Sequence, residues 1–408
     1  MKKKVVSMLM IAALTAGMLI GCGNSSGGSD TGGGENGKQQ IDVWYYWENE
    51  SHQAILNSEL DKFNQSQDEI EATATYVPFA DFKKQLSIGA SSAELPDIVI
   101  IDSPDHASYT AMGIFADITD KVDVSQYYEG PIASCMQDDK LYGIPFGSNC
   151  LGLFYNKDML EAANVEVPTT WDELRAAAKA LTKDNVSGMA FCCLQNEEGT
   201  FNFSPWLWST GTDSFNINNA QGIKALTFVG DLVKDGSMSK EVINWTQGDV
   251  MNQFISGNVA MMINGPWQIP TMREEAPDLN WDVALIPKDE KYASALGGEN
   301  FAVIDNENVD DSLKVINFLT SKDEVASYID DFGYIAARKD VAENQFQDDP
   351  QMRMFIDQMQ YALPRGPHAS WPEISDAISL AFNEVITETS TPADAAAKAQ
   401  ETIDSIIK

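Results

Sequence analysis

Histidine and basic residues are scarce in this chain: three His, and 27 Lys+Arg against 61 Asp+Glu in 408 residues, a formal net charge of −34. A phosphate backbone is bound by clustered Lys and Arg, so nucleic acid is excluded as a partner, and polyanionic substrates are disfavoured. Three His and five Cys leave too few soft ligands for a multi-site metalloenzyme, and no metal or cofactor is expected. No Gly-x-Gly-x-x-Gly follows the first predicted strand, and the one Gly-x-x-x-x-Gly-Lys, Gly32 to Lys38, precedes that strand and is followed by Gln39 instead of Ser or Thr, so nucleotide chemistry drops out. The one Gly-x-Ser-x-Gly, Gly23 to Gly27, falls in a Gly/Ser/Asn stretch and not between a predicted strand and helix, and His-Glu-x-x-His is missing. Only five arginines exist (Arg175, Arg273, Arg338, Arg353 and Arg365), too few for an anion-binding cleft unless they converge.

What is present is an address, a tether and two cores. Lys2, Lys3 and Lys4 precede an apolar run from Val5 to Ile20 that ends in Leu19-Ile20-Gly21-Cys22. The run is shorter than the ~20 residues that span a bilayer, so residues 1–21 read as a secretory signal. This ending resembles a lipobox, which implies cleavage before Cys22, a diacylglycerol on its thiol, and attachment to the extracellular face of a bacterial, Gram-positive membrane. Residues 22–39 are rich in Gly, Ser and Asn, and read as a flexible tether.

From residue 40 strands and helices alternate. Ile41 to Tyr46 and Ala72 to Val77 are predicted strands, with helices over His52–Phe63 and Phe79–Gly89. Pro96 to Asp102 is a near-continuous apolar run, as in a strand buried on both faces of a parallel sheet. A second α/β region starts near Leu151, with strands at 152–155, 188–193, 260–263, 282–286 and 301–304. Thr170 is the expected N-cap of a helix through Leu181, while Phe203 to Trp208 read as a loop.

Nine Trp, twelve Tyr and eighteen Phe provide flat apolar surfaces suited to the C–H faces of a pyranose, and carboxylates and amides suit its hydroxyl rim. Trp44-Tyr45-Tyr46-Trp47-Glu48 offers both where a strand meets a helix, and Tyr46, Trp47 and Glu48 are candidate ligand contacts. Asp102 and Ser103 close another strand on that side. Trp171 and Trp281 are assigned to packing.

An ordered set of short motifs carries a family resemblance. It includes Pro96-Asp97-Ile98-Val99, Gly113-Ile114-Phe115-Ala116-Asp117, Tyr142-Gly143-Ile144-Pro145, Pro168-Thr169-Thr170-Trp171-Asp172-Glu173 and Ile263-Asn264-Gly265-Pro266-Trp267. The chain resembles extracellular solute-binding proteins of the maltose-binding-like group, receptors that deliver sugars to ABC importers. The resemblance implies an α/β, two-lobed periplasmic-binding-protein-like fold with hinge crossovers and an interlobe cleft. The lobes would be residues 40–147 plus 297–333 and residues 148–296 plus 334–408. It implies a monomer that is no enzyme, with a carbohydrate ligand and ABC permease subunits as partners. Carried over, Trp267, one or both of Trp206 and Trp208, and Trp371 would wall the cleft, joined by Glu299 beside Gly297-Gly298. Asn149 stands near where relatives carry a Glu, which leaves the sugar open. Two rivals stay open: a lipid-anchored glycoside hydrolase with paired carboxylates, and the same fold holding a non-sugar solute such as a polyamine, which needs several inward-facing acids. No essential disulfide is expected, although Cys150 could pair with Cys135, Cys192 or Cys193.

Overall fold

The computed structural model describes residues 37–92, 94–366 and 368–407. The expected signal segment and Cys22 lie outside them, as does all but the end of the tether. The strands in chain order are β1 (Gln39–Tyr45), β2 (Ile70–Tyr76), β3 (Ile98–Asp102), β4 (Met136–Gln137), β5 (Lys140–Leu141) and β6 (Ile144–Cys150). There follow β7 (Gly152–Asn156), β8 (Met261–Asn264), β9 (Trp281–Ala284), β10 (Ser294–Val303), β11 (Ile335–Ala336) and β12 (Ala362–Pro364).

The larger sheet runs β11-β6-β10-β3-β1-β2, with β12 also on β10. β1 pairs in parallel with β2 and β3, as a βαβαβ start requires, whereas β10 is antiparallel to both β3 and β6. Ile41, Val43 and Tyr45 of β1 are buried, and every residue of β3 is buried, which explains its unbroken apolar sequence. The smaller sheet, β8-β7-β9, is antiparallel. Helices supply most of the remaining second core, among them Ala220–Lys234 and Trp371–Ile386.

The buried apolar residues form two clusters. One holds Ile41 to Phe146 and Phe301 to Val341; the other holds Cys150 to Ala295 and Met352 to Ile403. β6 and β10 are paired to each other and pass from one cluster to the other. Tyr334, Ala336, Ala337 and Val341, expected in the second lobe, pack in the first cluster.

Local signals explain several boundaries. Thr170 and Glu173 make a reciprocal capping box at the start of helix Trp171–Leu181, as the sequence predicts. Two expectations need correcting. Residues 188–193 form no continuous strand: the segment is extended beside β8, but only Ser187 and Ala190 make isolated bridges there. Phe203 to Trp208 are not a loop but part of helix Glu197–Ser209, whose N-cap Asn196 accepts from the Gly199 N–H and which accommodates Pro205. The Cys135, Cys150, Cys192 and Cys193 thiols are free and buried.

Candidate functional site

A cavity of about 680 Å³ lies where the two clusters meet. Its lining comes from ends of elements. Tyr46, Trp47, Glu48 and Asn49 follow the carboxyl end of β1, and Asp102 ends β3. Asn149 and Glu299 come from the crossover strands. Glu197, Glu198 and Phe201 belong to helix Glu197–Ser209, and Gln247 and Asp249 to the first turn of helix Gln247–Ile255. Trp267 sits in the turn Pro266–Gln268 just after β8. The Asn-Gly-Pro-Trp motif has a steric reason: a Cβ on Gly265 would fall 1.9 Å from the Trp267 ring, so only Gly lets the indole fold back. A Cβ on Gly297 would meet Asn149 Oδ1 at 2.1 Å, so this glycine makes room for the amide lining the floor.

Glu299 is the centre of that floor. Its Oε1 accepts from Tyr46 Oη at 3.0 Å, Trp47 Nε1 at 3.3 Å and Tyr334 Oη at 3.0 Å. Its Oε2 is buried without a donor, as is Asn149 Oδ1. Two acceptors of the cavity-lining residues are therefore left without a donor from the protein. Burial, and next the charge of Asp102, push the Glu299 carboxyl up from 4.5 to about 7, although its three donors pull the other way.

Beside it, Arg365 Nη1 and Nη2 grip Asp102 at 2.9 and 2.8 Å, and Nη1 also reaches Glu197 Oε1 at 2.6 Å. The guanidinium lies 4.2 Å over the Phe201 ring, and Phe201 runs nearly parallel to Trp267, 26° between planes. Across the mouth, Asn49 Nδ2 donates to Thr271 Oγ1 at 2.9 Å. Burial drives His52 down to about 3, so it stands neutral while its Nε2 meets Phe332 O at 3.1 Å. No cluster of His, Cys, Asp and Glu suited to a metal occurs among the described residues.

Seven of the sequence candidates share this cavity: Tyr46, Trp47, Glu48, Asp102, Asn149, Trp267 and Glu299. Four do not. Trp206 is fully buried among Trp171, Phe191 and Phe228, because it faces the second core from its helix. Trp208 is buried on the same helix and donates to Ser214 Oγ at 3.1 Å. Trp371 lies under the wall, its Nε1 donating to both Glu197 oxygens at 3.0 Å, so it braces a lining carboxylate. Ser103 opens the short turn after β3 and is not on the lining. Trp171 and Trp281 are packing residues, Trp281 stacked on Phe154. Sequence reasoning missed Arg365, Glu197, Phe201 and Tyr334. Two signals were available: the rarity of arginine, and two acids opening a helix after Asn196.

The raised Glu299 has a measurable consequence. A carboxyl that holds its proton more tightly when folded makes stability fall as pH rises from 4.5 to about 7. Glu299→Gln should remove that component, and thermal melts of both proteins across this window check it. Equal slopes for the two would contradict the assignment.

A family model described as bacterial extracellular solute-binding protein matches residues 60–354. The galactooligosaccharide-binding protein of Bacillus subtilis is 23% identical over 423 residues, covering 99% of this chain and 98% of its own. The lactose-binding protein of Rhizobium radiobacter is 25% identical over 307 residues, covering 70% of this chain and 71% of its own. Among solved structures, an ABC transporter solute-binding protein from Thermotoga lettingae bound with α-D-tagatose superposes with a TM-score of 0.85 at 25% identity, covering 91% of this chain and 100% of that one.

Proposed function

Since the chain belongs to the bacterial extracellular solute-binding proteins, a family of receptors and not of enzymes, we propose that it captures a carbohydrate between its two lobes and presents it to an ABC importer. The observation that carries this reading is the floor of the cavity. Unpartnered acceptors on Glu299 and Asn149 sit with the rings of Trp47, Phe201 and Trp267, the pairing that a sugar's hydroxyl rim and C–H faces require. The volume of about 680 Å³ suits one to a few sugar rings. The named relatives bind lactose and galactooligosaccharide, which supports a sugar over other solutes. The hydrolase reading fails on family membership, since its matched relatives are binding proteins.

The lobes are proposed to hinge at β6 and β10, and the protein to be lipid-anchored outside the cell through Cys22. The lipobox ending and the Gly-rich segment after it support the anchor. Mass analysis of the membrane-extracted chain should find diacylglycerol on Cys22; an unmodified thiol there would refute it. For the ligand, calorimetric titration with neutral di- and trisaccharides of glucose, galactose and mannose should give saturable binding without turnover. Hydrolysis, or no binding to any saccharide, would overturn the reading.

A further inference from the structure

Gly333 is not on the cavity lining, yet it stands where the two cores touch. Its φ is +70°, in the left-handed region, and its N–H closes a turn on Asp330 O at 2.9 Å. A Cβ there would lie 2.5 Å from Pro266 O, 2.9 Å from Pro266 C and 3.1 Å from Trp267 Cα. All three are backbone atoms, so no change of rotamer relieves the contact. Gly113 has nearly the same backbone, with φ +74°, but nothing lies within 4 Å of its Cβ position. The crowding at Gly333 therefore comes from the partner segment and not from the turn itself.

The two sides of this contact belong to different lobes. Phe332 and Tyr334, which flank Gly333, pack in the first cluster, and the Phe332 ring stacks on His52 with centroids 4.4 Å apart. Pro266 and Trp267 lie between Ile263 and Ile269, both buried in the second cluster. Four residues after Trp267, Thr271 Oγ1 accepts from Asn49 Nδ2 at 2.9 Å, and Asn49 caps helix Glu50–Ser66 of the first lobe. The seam thus joins Gly333 and Asn49 on one side to Pro266 and Thr271 on the other. Between those two points stands Trp267, whose indole lines the cavity.

We infer that Gly333 is a positioning residue for ligand capture: its bare Cα is the stop against which the Trp267 turn comes to rest when the lobes close. It sets affinity through Trp267, without touching the ligand. A Cβ at this position would hold the turn, and the indole with it, back from the first lobe. The closed form would lose population, and apparent affinity falls with the fraction of molecules able to close. The ligand enters before the stop is reached, so the loss falls on dissociation and not on association. The inference rests on the receptor reading above and adds to it the residue at which closure ends.

Gly333→Asn, compared with Gly113→Asn, tests this. Asn tolerates the left-handed region, so both variants bear a similar backbone cost and only the first adds a Cβ to the seam. The probe is whichever neutral di- or trisaccharide of glucose, galactose or mannose the parent binds most tightly. In calorimetry and stopped-flow mixing, Gly333→Asn should bind it about tenfold or more weakly, through faster dissociation. Its radius of gyration with saturating saccharide should stay above that of the loaded parent, while Gly113→Asn matches the parent in both respects. A glycine needed only for folding would instead lower the melting temperature and leave the affinity of the folded fraction within threefold of Gly113→Asn; that result overturns the inference and leaves the receptor reading intact. If Gly333→Asn does not fold, hydrogen exchange in the parent decides. The saccharide should slow the amides of Asp330 to Gly333, none of them on the lining, and unchanged exchange there overturns the inference. A parent that binds no saccharide overturns both readings.

Discussion

Arg365→Met is expected to destabilise the fold by about 3–5 kcal/mol, the cost of leaving a buried charge without its partner. The side chain is 3% exposed and holds two carboxylates at once, Asp102 at 2.8 Å and Glu197 at 2.6 Å. Without it those two acids would face each other, with Glu299 close by, in a site that water barely reaches. The loss should be partly recovered in Arg365→Met/Asp102→Asn/Glu197→Gln, because neutral amides remove the repulsion. Urea unfolding of the single and triple variants checks this. A single variant within about 1 kcal/mol of the parent, in the range of an exposed pair, would mean that the guanidinium is not the keystone of the wall.

Trp267→Ala should instead act on binding, weakening affinity for the cognate saccharide by about 2–4 kcal/mol, roughly 30- to 1000-fold. Trp267 is only partly buried, lies against both clusters and turns a face to the cavity beside Phe201. Removing it takes away a platform that hydrogen bonds elsewhere cannot replace. Calorimetry on the folded variant is the measurement; affinity within threefold of the parent would place the sugar on another wall.

Much of this arrangement is legible along the chain because it is local. Ile98 to Asp102 announces a doubly covered strand, Thr170 and Glu173 announce a helix start, and Tyr46 to Glu48 reach the cavity because residues just past the carboxyl end of a parallel strand face the crevice. Asn264-Gly265-Pro266-Trp267 is also local, since the glycine and the indole it admits are two positions apart. The errors come from long-range facts. Trp206, Trp208 and Trp371 carry the same aromatic surface as Trp267, and only packing decides that three face core and one the cavity. Phe203 to Trp208 are helical despite Pro205, within a helix capped by Asn196 and packed on the second core. Arg365 meets Asp102 across 263 positions, a pairing that no window of sequence displays. Tyr334 was placed with the wrong core for the same reason: its hydroxyl belongs to Glu299, 35 positions away on β10.

A ligand bound between the lobes is expected to draw them together. A ligand shifts such an equilibrium only by its differential affinity for the two states, and moving it from 1:99 to 99:1 takes ~5.5 kcal/mol. Stacking on Trp267 and Phe201, with hydrogen bonds to Glu299 and Asn149 from the crossover strands, would be of that order. Small-angle X-ray scattering with and without the saccharide that calorimetry identifies is the most direct test: the radius of gyration should fall on saturation, while an unchanged radius with binding confirmed would contradict closure around the ligand.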